Sequence, residues 1–250
     1  PGSDYSVVPH APYSVSENFL KRLTPGPSQP HPPFGHLLQK EKGSGKEFKG
    51  EGSRVLSMHN QESADEDLMF REKRGRILAF FVSLGMDFSR WKASGKSSLQ
   101  TVLNYLPKEN NVLLVHNTFT DADDLKFAEA YSKNIYWVTC PNANLYIENR
   151  LPDYNLFRKA NAKMTIGTDS LASNHSLSVL DELKTISVHF PKLKLETLLQ
   201  WATLTGAEAL GFRNELGSFE PGKKPGVLLL KNINLEKFSL TSESNVKRLV

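Results

Sequence analysis

Apolar residues in this chain gather into short unbroken runs, and each run stops at a polar side chain. Tyr5-Ser6-Val7-Val8-Pro9 leads to His10, and Arg54-Val55-Leu56-Ser57-Met58 leads to His59. Val112 to Val115 leads to His116, Ile135 to Thr139 leads to Cys140-Pro141-Asn142, and Lys163 to Thr168 leads to Asp169. Most of these runs lack alternation, which predicts strands covered on both faces, as in a parallel sheet. Helix patterns fill the spaces between them. Ser63 with Glu66 reads as a capping box opening a helix that carries Leu68, Ile77, Leu78 and Phe81. Thr120 with the acids after it starts another, carrying Leu125, Phe127 and Ala128. Val179, Leu180, Leu183 and Ile186 form a stripe ending near Phe190-Pro191, and Leu195 to Leu210 reads as a further helix. Strand and helix in alternation predict βα units around a parallel sheet.

Two segments depart from that rhythm. Residues 24–52 are rich in Pro, Gly and Lys without periodicity and read as a solvated, mobile insertion. Its His31 and His36 have nothing nearby to fix a coordination geometry. After Gly211 the texture changes to turns and short strands, at Leu216 to Phe219 and again at Val227 to Leu230. The expected division is therefore an α/β unit over residues 1–211 and a small β appendage over 212–250.

Composition narrows the partners. With 39% hydrophobic and 23% charged residues in 250, the chain is ordinary for a soluble globular protein. A net charge of +4 without a basic stripe argues against nucleic acid. No apolar run approaches the roughly 18 to 20 residues that cross a bilayer, so no membrane is expected. A single cysteine, Cys140, excludes an internal disulfide framework and fits the reducing cytoplasm. The chain opens on Pro1-Gly2-Ser3 and runs straight into strand-like sequence, which suggests the later part of a longer protein.

The polar tips carry the chemistry. In parallel α/β sheets the active site gathers at the C-terminal ends of the strands. Four strands that end in His10, His59, His116 and Asp169 would bring those side chains to one rim. A lone histidine is as often structural as functional; four polar ends on one rim are harder to explain that way. Imidazole and carboxylate together suit one divalent metal ion, zinc first and iron second. Such an ion lowers the pKa of water toward neutrality. Glu62, three residues beyond His59 in "MHNQE", is placed to carry a proton, although it also reads as part of an acidic helix start.

The segments "VVPHAPYSVS", "LSMHNQES", "VLLVHN", "IYWVTCPNANLYI" and "TIGTDSLASNHSLSVLDEL" together resemble the amidohydrolase superfamily. They are similar to the branch that holds S-adenosylhomocysteine deaminases, guanine deaminases and triazine hydrolases. The resemblance covers nearly the whole chain apart from the insertion, and the tail "WATLTGAEALGF" through "PGVLLL" fits it as well. What it implies is the C-terminal part of a (β/α)8 barrel, strands four to eight, followed by the β appendage. His59 and Asp169 are then metal ligands, and Asp169 also takes a proton from the attacking water. His116 hydrogen-bonds the water or the developing tetrahedral centre, and Glu62 shuttles protons to the heterocycle and to the leaving ammonia. His10, Ser173 and Asn174 contact the substrate, a small N-heterocycle, while Asn142 and Asn144 wall the pocket. A homodimer is the oligomer expected.

The family's first strand supplies an H-x-H ligand pair, and this chain contains no H-x-H. Taken alone, its residues are therefore expected to hold metal weakly and to turn over nothing. The same absence supports a second reading: a relative that lost its ligands and serves as a binding or scaffold module. A third, a doubly wound nucleotide-binding sheet, lacks any G-x-G-x-x-G or P-loop after a strand; "GSGKEF" at 43–48 has the wrong spacing.

Overall fold

The computed structural model describes residues 10–14 and 55–250. The expected strand over 5–9, the insertion and its histidines lie outside the described residues. Among the described residues, four parallel strands form a sheet in chain order: β1 (Val55–Asn60), β2 (Asn111–His116), β3 (Ile135–Thr139) and β4 (Met164–Ile166). Register pairs Met58 with Leu114, Val112 with Ile135, and Thr139 with Ile166. The His59 N–H donates to the His10 carbonyl at 2.9 Å, so residue 10 sits beside the end of β1. Both faces of the sheet are covered, as the unbroken apolar runs predict. Met58, Val112, Leu114, Trp137 and Met164 pack against the helices, while Leu113, Tyr136 and Val138 form a smaller cluster with Cys140, Ala143 and Ala209.

The helices that return between strands are α1 (Ala64–Glu72), α2 (Arg76–Ser83), α3 (Ser98–Val102), α4 (Ala122–Tyr131), α5 (Pro141–Glu148), α6 (Tyr154–Lys159) and α7 (Val179–His189). Three sequence expectations change here. The helix expected from Ser63 through Phe81 is two helices, broken where Lys73 turns left-handed (φ 54°) and Gly75 reaches φ 110°. Only glycine suits position 75, because a Cβ there would sit 2.9 Å from Asp65 Oδ1. Ser63 makes no side-chain cap; instead Glu66 reaches back and accepts the N–H groups of Gln61 (2.9 Å) and Glu62 (3.3 Å). The cap of α4 is Asp121, one residue past Thr120, in a reciprocal box with Asp124.

The stretch from Leu195 is helical as expected but widens into a π turn at Trp201–Thr205 between α8 (Leu195–Gln200) and α9 (Gly206–Ala209). At this turn the Thr165 hydroxyl of β4 donates to the Trp201 carbonyl at 3.1 Å, which pins the helix to the sheet. The tail forms an antiparallel pair, β5 (Leu228–Lys231) with β6 (Asn245–Arg248), whereas Leu216 to Phe219 is not a strand. No helix among the described residues is long and apolar enough to cross a membrane.

Glu66 is wholly buried, and burial pushes its carboxyl up from 4.5 to about 8. A raised carboxyl binds its proton more tightly when folded. Its stabilising contribution is therefore complete below about 4.5 and is lost as the pH rises through about 8. Between those limits the slope contributed is at most about 1.4 kcal/mol per pH unit. Urea unfolding of wild type and Glu66→Gln at several pH values is expected to show the steeper decline with pH in wild type.

Candidate metal centre

The rim forms at the C-terminal ends of the strands, and it needs the backbone to break its own rules. Strand register pairs His116 with Asn60, which would send its side chain to the opposite face from His59. His116 instead takes φ 80°, a left-handed conformation unusual for a residue with a Cβ, and this turns the ring back toward the rim. Its ring centroid ends 4.7 Å from that of His59, edge-on at 89°. The His10 ring also lies beside His59, with centroids 4.5 Å apart and planes tilted by 51°. Asp169 also adopts a left-handed conformation, with φ 56°.

Glu62 reaches between the two inner imidazoles. Its Oε2 lies 3.7 Å from His59 Nδ1, and its Oε1 lies 3.5 Å from His116 Nε2. His59, Glu62 and His116 each offer a ligand atom within 4.8 Å of the others. Asp169 stands outside that triplet but close enough to act electrostatically on all three. Its carboxylate accepts the hydroxyl of Ser173.

The tautomer of His116 follows from its neighbour. The Asn144 amide N–H donates to the His116 carbonyl at 3.3 Å, so its Oδ1 faces His116 Nδ1 at 2.8 Å and accepts a hydrogen bond from the Nδ1–H. Nε2 is then the unprotonated nitrogen. It is fully buried and has no hydrogen-bond partner among the described residues. An orphaned buried acceptor normally costs stability, and sites where one persists are commonly functional. Burial lowers the pKa of His116, and burial followed by the His116 charge lowers that of His59; burial raises that of Glu62. Both imidazoles are thus kept neutral with lone pairs free, the state in which they bind a cation.

Other expected site residues have internal partners. Asn174 spends its amide nitrogen on the Thr168 carbonyl (2.7 Å) and Glu182 (2.6 Å), and its Oδ1 accepts the Ser176 N–H at 3.3 Å. Asn142 bonds Glu182 and Thr185. The sequence presents Glu66 only as a capping partner for Ser63 and does not mark the acids behind the rim as buried. Glu66 fixes the Gln61-Glu62 backbone, Asp124 accepts from Gln61 (2.7 Å) and Ser97 (2.5 Å), and Glu182 holds the loops after β3 and β4. Each opens a helix, where an acid reads as a dipole complement, so no signal in the sequence separates them from surface acids. Gly167 makes room for the cysteine beneath Asp169, since a Cβ there would sit 3.0 Å from Cys140 Sγ.

A parallel α/β sheet with histidines and carboxylates gathered at its C-terminal rim is the architecture of a hydrolase-type polar site. The chain belongs to the amidohydrolase family, whose pattern matches residues 54–250. It is 31% identical over 173 residues to an adenosine deaminase of Helicobacter pylori, covering 68% of this chain and 41% of that one. It is likewise 31% identical over 131 residues to a 5-methylthioadenosine/S-adenosylhomocysteine deaminase of Saccharophagus degradans, covering 50% of this chain and 29% of that one. Among solved structures, Helicobacter pylori aminofutalosine deaminase superposes with a TM-score of 0.58 at 28% identity, over 69% of this chain and 43% of that one. The chain thus spans less than half the length of these relatives.

Proposed function

We propose that these residues form part of the active site of a metal-dependent aminohydrolase that deaminates a purine-like or other N-heterocyclic substrate. The observation that carries the reading is the unpartnered, buried Nε2 of His116, facing His59 and Glu62 across one small space. The donor set is two neutral imidazoles and two carboxylates, which suits a borderline divalent ion such as zinc. His59 and Asp169 would hold it, and when bound it would supply the charge that makes water acidic near neutrality.

The remaining roles belong to the chain. Glu62 is the proton carrier: burial raises its carboxyl, which favours the protonated form that a ring nitrogen would draw on. Left as a carboxylate, it then takes up the remaining hydroxyl proton of the added water as the C–N bond breaks and delivers it to the departing ammonia. His116, with Nδ1–H held by Asn144, offers Nε2 as an acceptor and orients a water O–H. Asp169 accepts the second proton of that water. His10, its ring centroid 4.5 Å from that of His59, would contact the heterocycle. In this reading the four strands are the fifth to eighth of a (β/α)8 barrel, with β5 and β6 in a separate appendage. The protein works in the cytoplasm, as a homodimer.

The similar deaminases named above support an adenosine-like substrate. Ammonia release from adenosine and S-adenosylhomocysteine, measured on the zinc-loaded natural protein containing these residues, tests the proposal. Release from at least one of them is expected. Zinc uptake without ammonia from either, or from guanine, would instead favour the binding or scaffold module that the missing H-x-H pair allows.

A further inference from the structure

Glu182 is wholly buried in the first turn of α7, yet it touches neither the rim imidazoles nor Glu62 in any hydrogen bond. Its carboxylate instead gathers three donors from two different loops. Oε2 accepts the backbone N–H of Asn142 at 2.8 Å, and Oε1 accepts Asn142 Nδ2 at 3.0 Å and Asn174 Nδ2 at 2.6 Å. Thr185, one turn along the same helix, donates its hydroxyl to Asn142 Oδ1 at 2.6 Å.

Each loop leads to one arm of the rim. Asn142 stands at the start of α5, where its N–H is among the groups the helix cannot bond internally, and Glu182 caps it from across the fold. Two residues further along α5, Asn144 holds the His116 ring. Asn174 passes its second amide hydrogen to the Thr168 carbonyl at 2.7 Å, directly before the left-handed Asp169. A non-glycine residue persists in that conformation only where its surroundings fix it.

We infer that Glu182 is a positioning residue that sets both arms of the site, His116 through Asn142 and α5, and Asp169 through Asn174 and Thr168. The inference rests on the reading of His59, His116 and Asp169 as one metal centre. Partners that orient ligands without touching the ion commonly matter ten- to a hundredfold in metal affinity. Glutamine at 182 keeps one acceptor oxygen but places an NH2 against a donor, so at least one arm must let go.

The test uses the natural protein, wild type, Glu182→Gln and Asn174→Ala, with two readouts beside melting temperature. Nitrogen-15 NMR of the metal-free His116 ring reports which nitrogen carries the proton. Competition with a chelator reports zinc affinity. Wild type is expected to show His116 protonated at Nδ1 alone. Glu182→Gln is expected to mix the two tautomers and to weaken zinc about ten- to a hundredfold. Asn174→Ala, which cuts only the arm to Asp169, is expected to weaken zinc about tenfold with the His116 signal unchanged; it also carries the test if Glu182→Gln fails to fold. Wild-type zinc affinity in both variants overturns the inference, whatever their melting temperatures. If wild type itself takes up no zinc, the metal-centre reading fails, and an unaltered ring signal in Glu182→Gln then overturns the positioning role separately.

Discussion

Glu62→Gln in the natural protein is expected to lower kcat by about two to four orders of magnitude, the usual worth of a positioned proton carrier. Zinc uptake is expected to survive the change, and KM to move little. The split follows from the placement of Glu62. Its oxygens lie 3.7 Å from His59 and 3.5 Å from His116, between the two imidazoles. Glutamine fills the same volume and keeps an oxygen, but it carries no exchangeable acid proton near neutrality. Were Glu62 instead a ligand, as its membership of the His59–Glu62–His116 triplet permits, the same variant would lose zinc and activity together. Steady-state kinetics with metal analysis on one preparation separates the two roles. An unchanged kcat would remove Glu62 from the mechanism.

Phe157→Ala is expected to destabilise the fold by about 3 to 5 kcal/mol, the range for a large aromatic deleted from a packed core. Phe157 sits on α6 with no exposed surface, its ring 5.4 Å from that of Trp137 on β3 at 66°. Leu198, Ile186 and Tyr154 belong to the same fully buried cluster, so the neighbours have little freedom to collapse into the void. Because Phe157 packs on Trp137, in the middle of β3, and not on the rim side chains, the surviving folded molecules should keep their affinity for zinc. Urea unfolding checks the size: the midpoint should fall with the m-value unchanged. A loss below about 1 kcal/mol would mean that the helix layer packs loosely around this ring.

The strands were legible because burial on both faces leaves an unmistakable signature. Ile135–Thr139 was read to the residue, helped by Pro141 stopping it, and the ends of β1 and β2 differ from expectation by one or two residues. The polar side chains at the strand ends could be read as a rim because parallel strands all point the same way. How His116 reaches His59 could not be read. Alternation puts it on the wrong face, and the left-handed turn that corrects this falls on a histidine, with no glycine to announce it. The break between α1 and α2 was signalled by Gly75 but outweighed by the apolar pattern on either side. The burial of Glu66, Asp124 and Glu182 was invisible for another reason: an acid in the first turn of a helix looks the same whether it faces water or a buried loop.

Zinc content is the most direct measure of the central claim, that side chains distant in the chain converge on one cation. The natural protein, His59→Ala and Asp169→Asn would be dialysed against the same dilute zinc buffer and analysed for metal. The account predicts about one zinc per chain in wild type and near-complete loss in both variants, each remaining folded. Full zinc in both variants would contradict it.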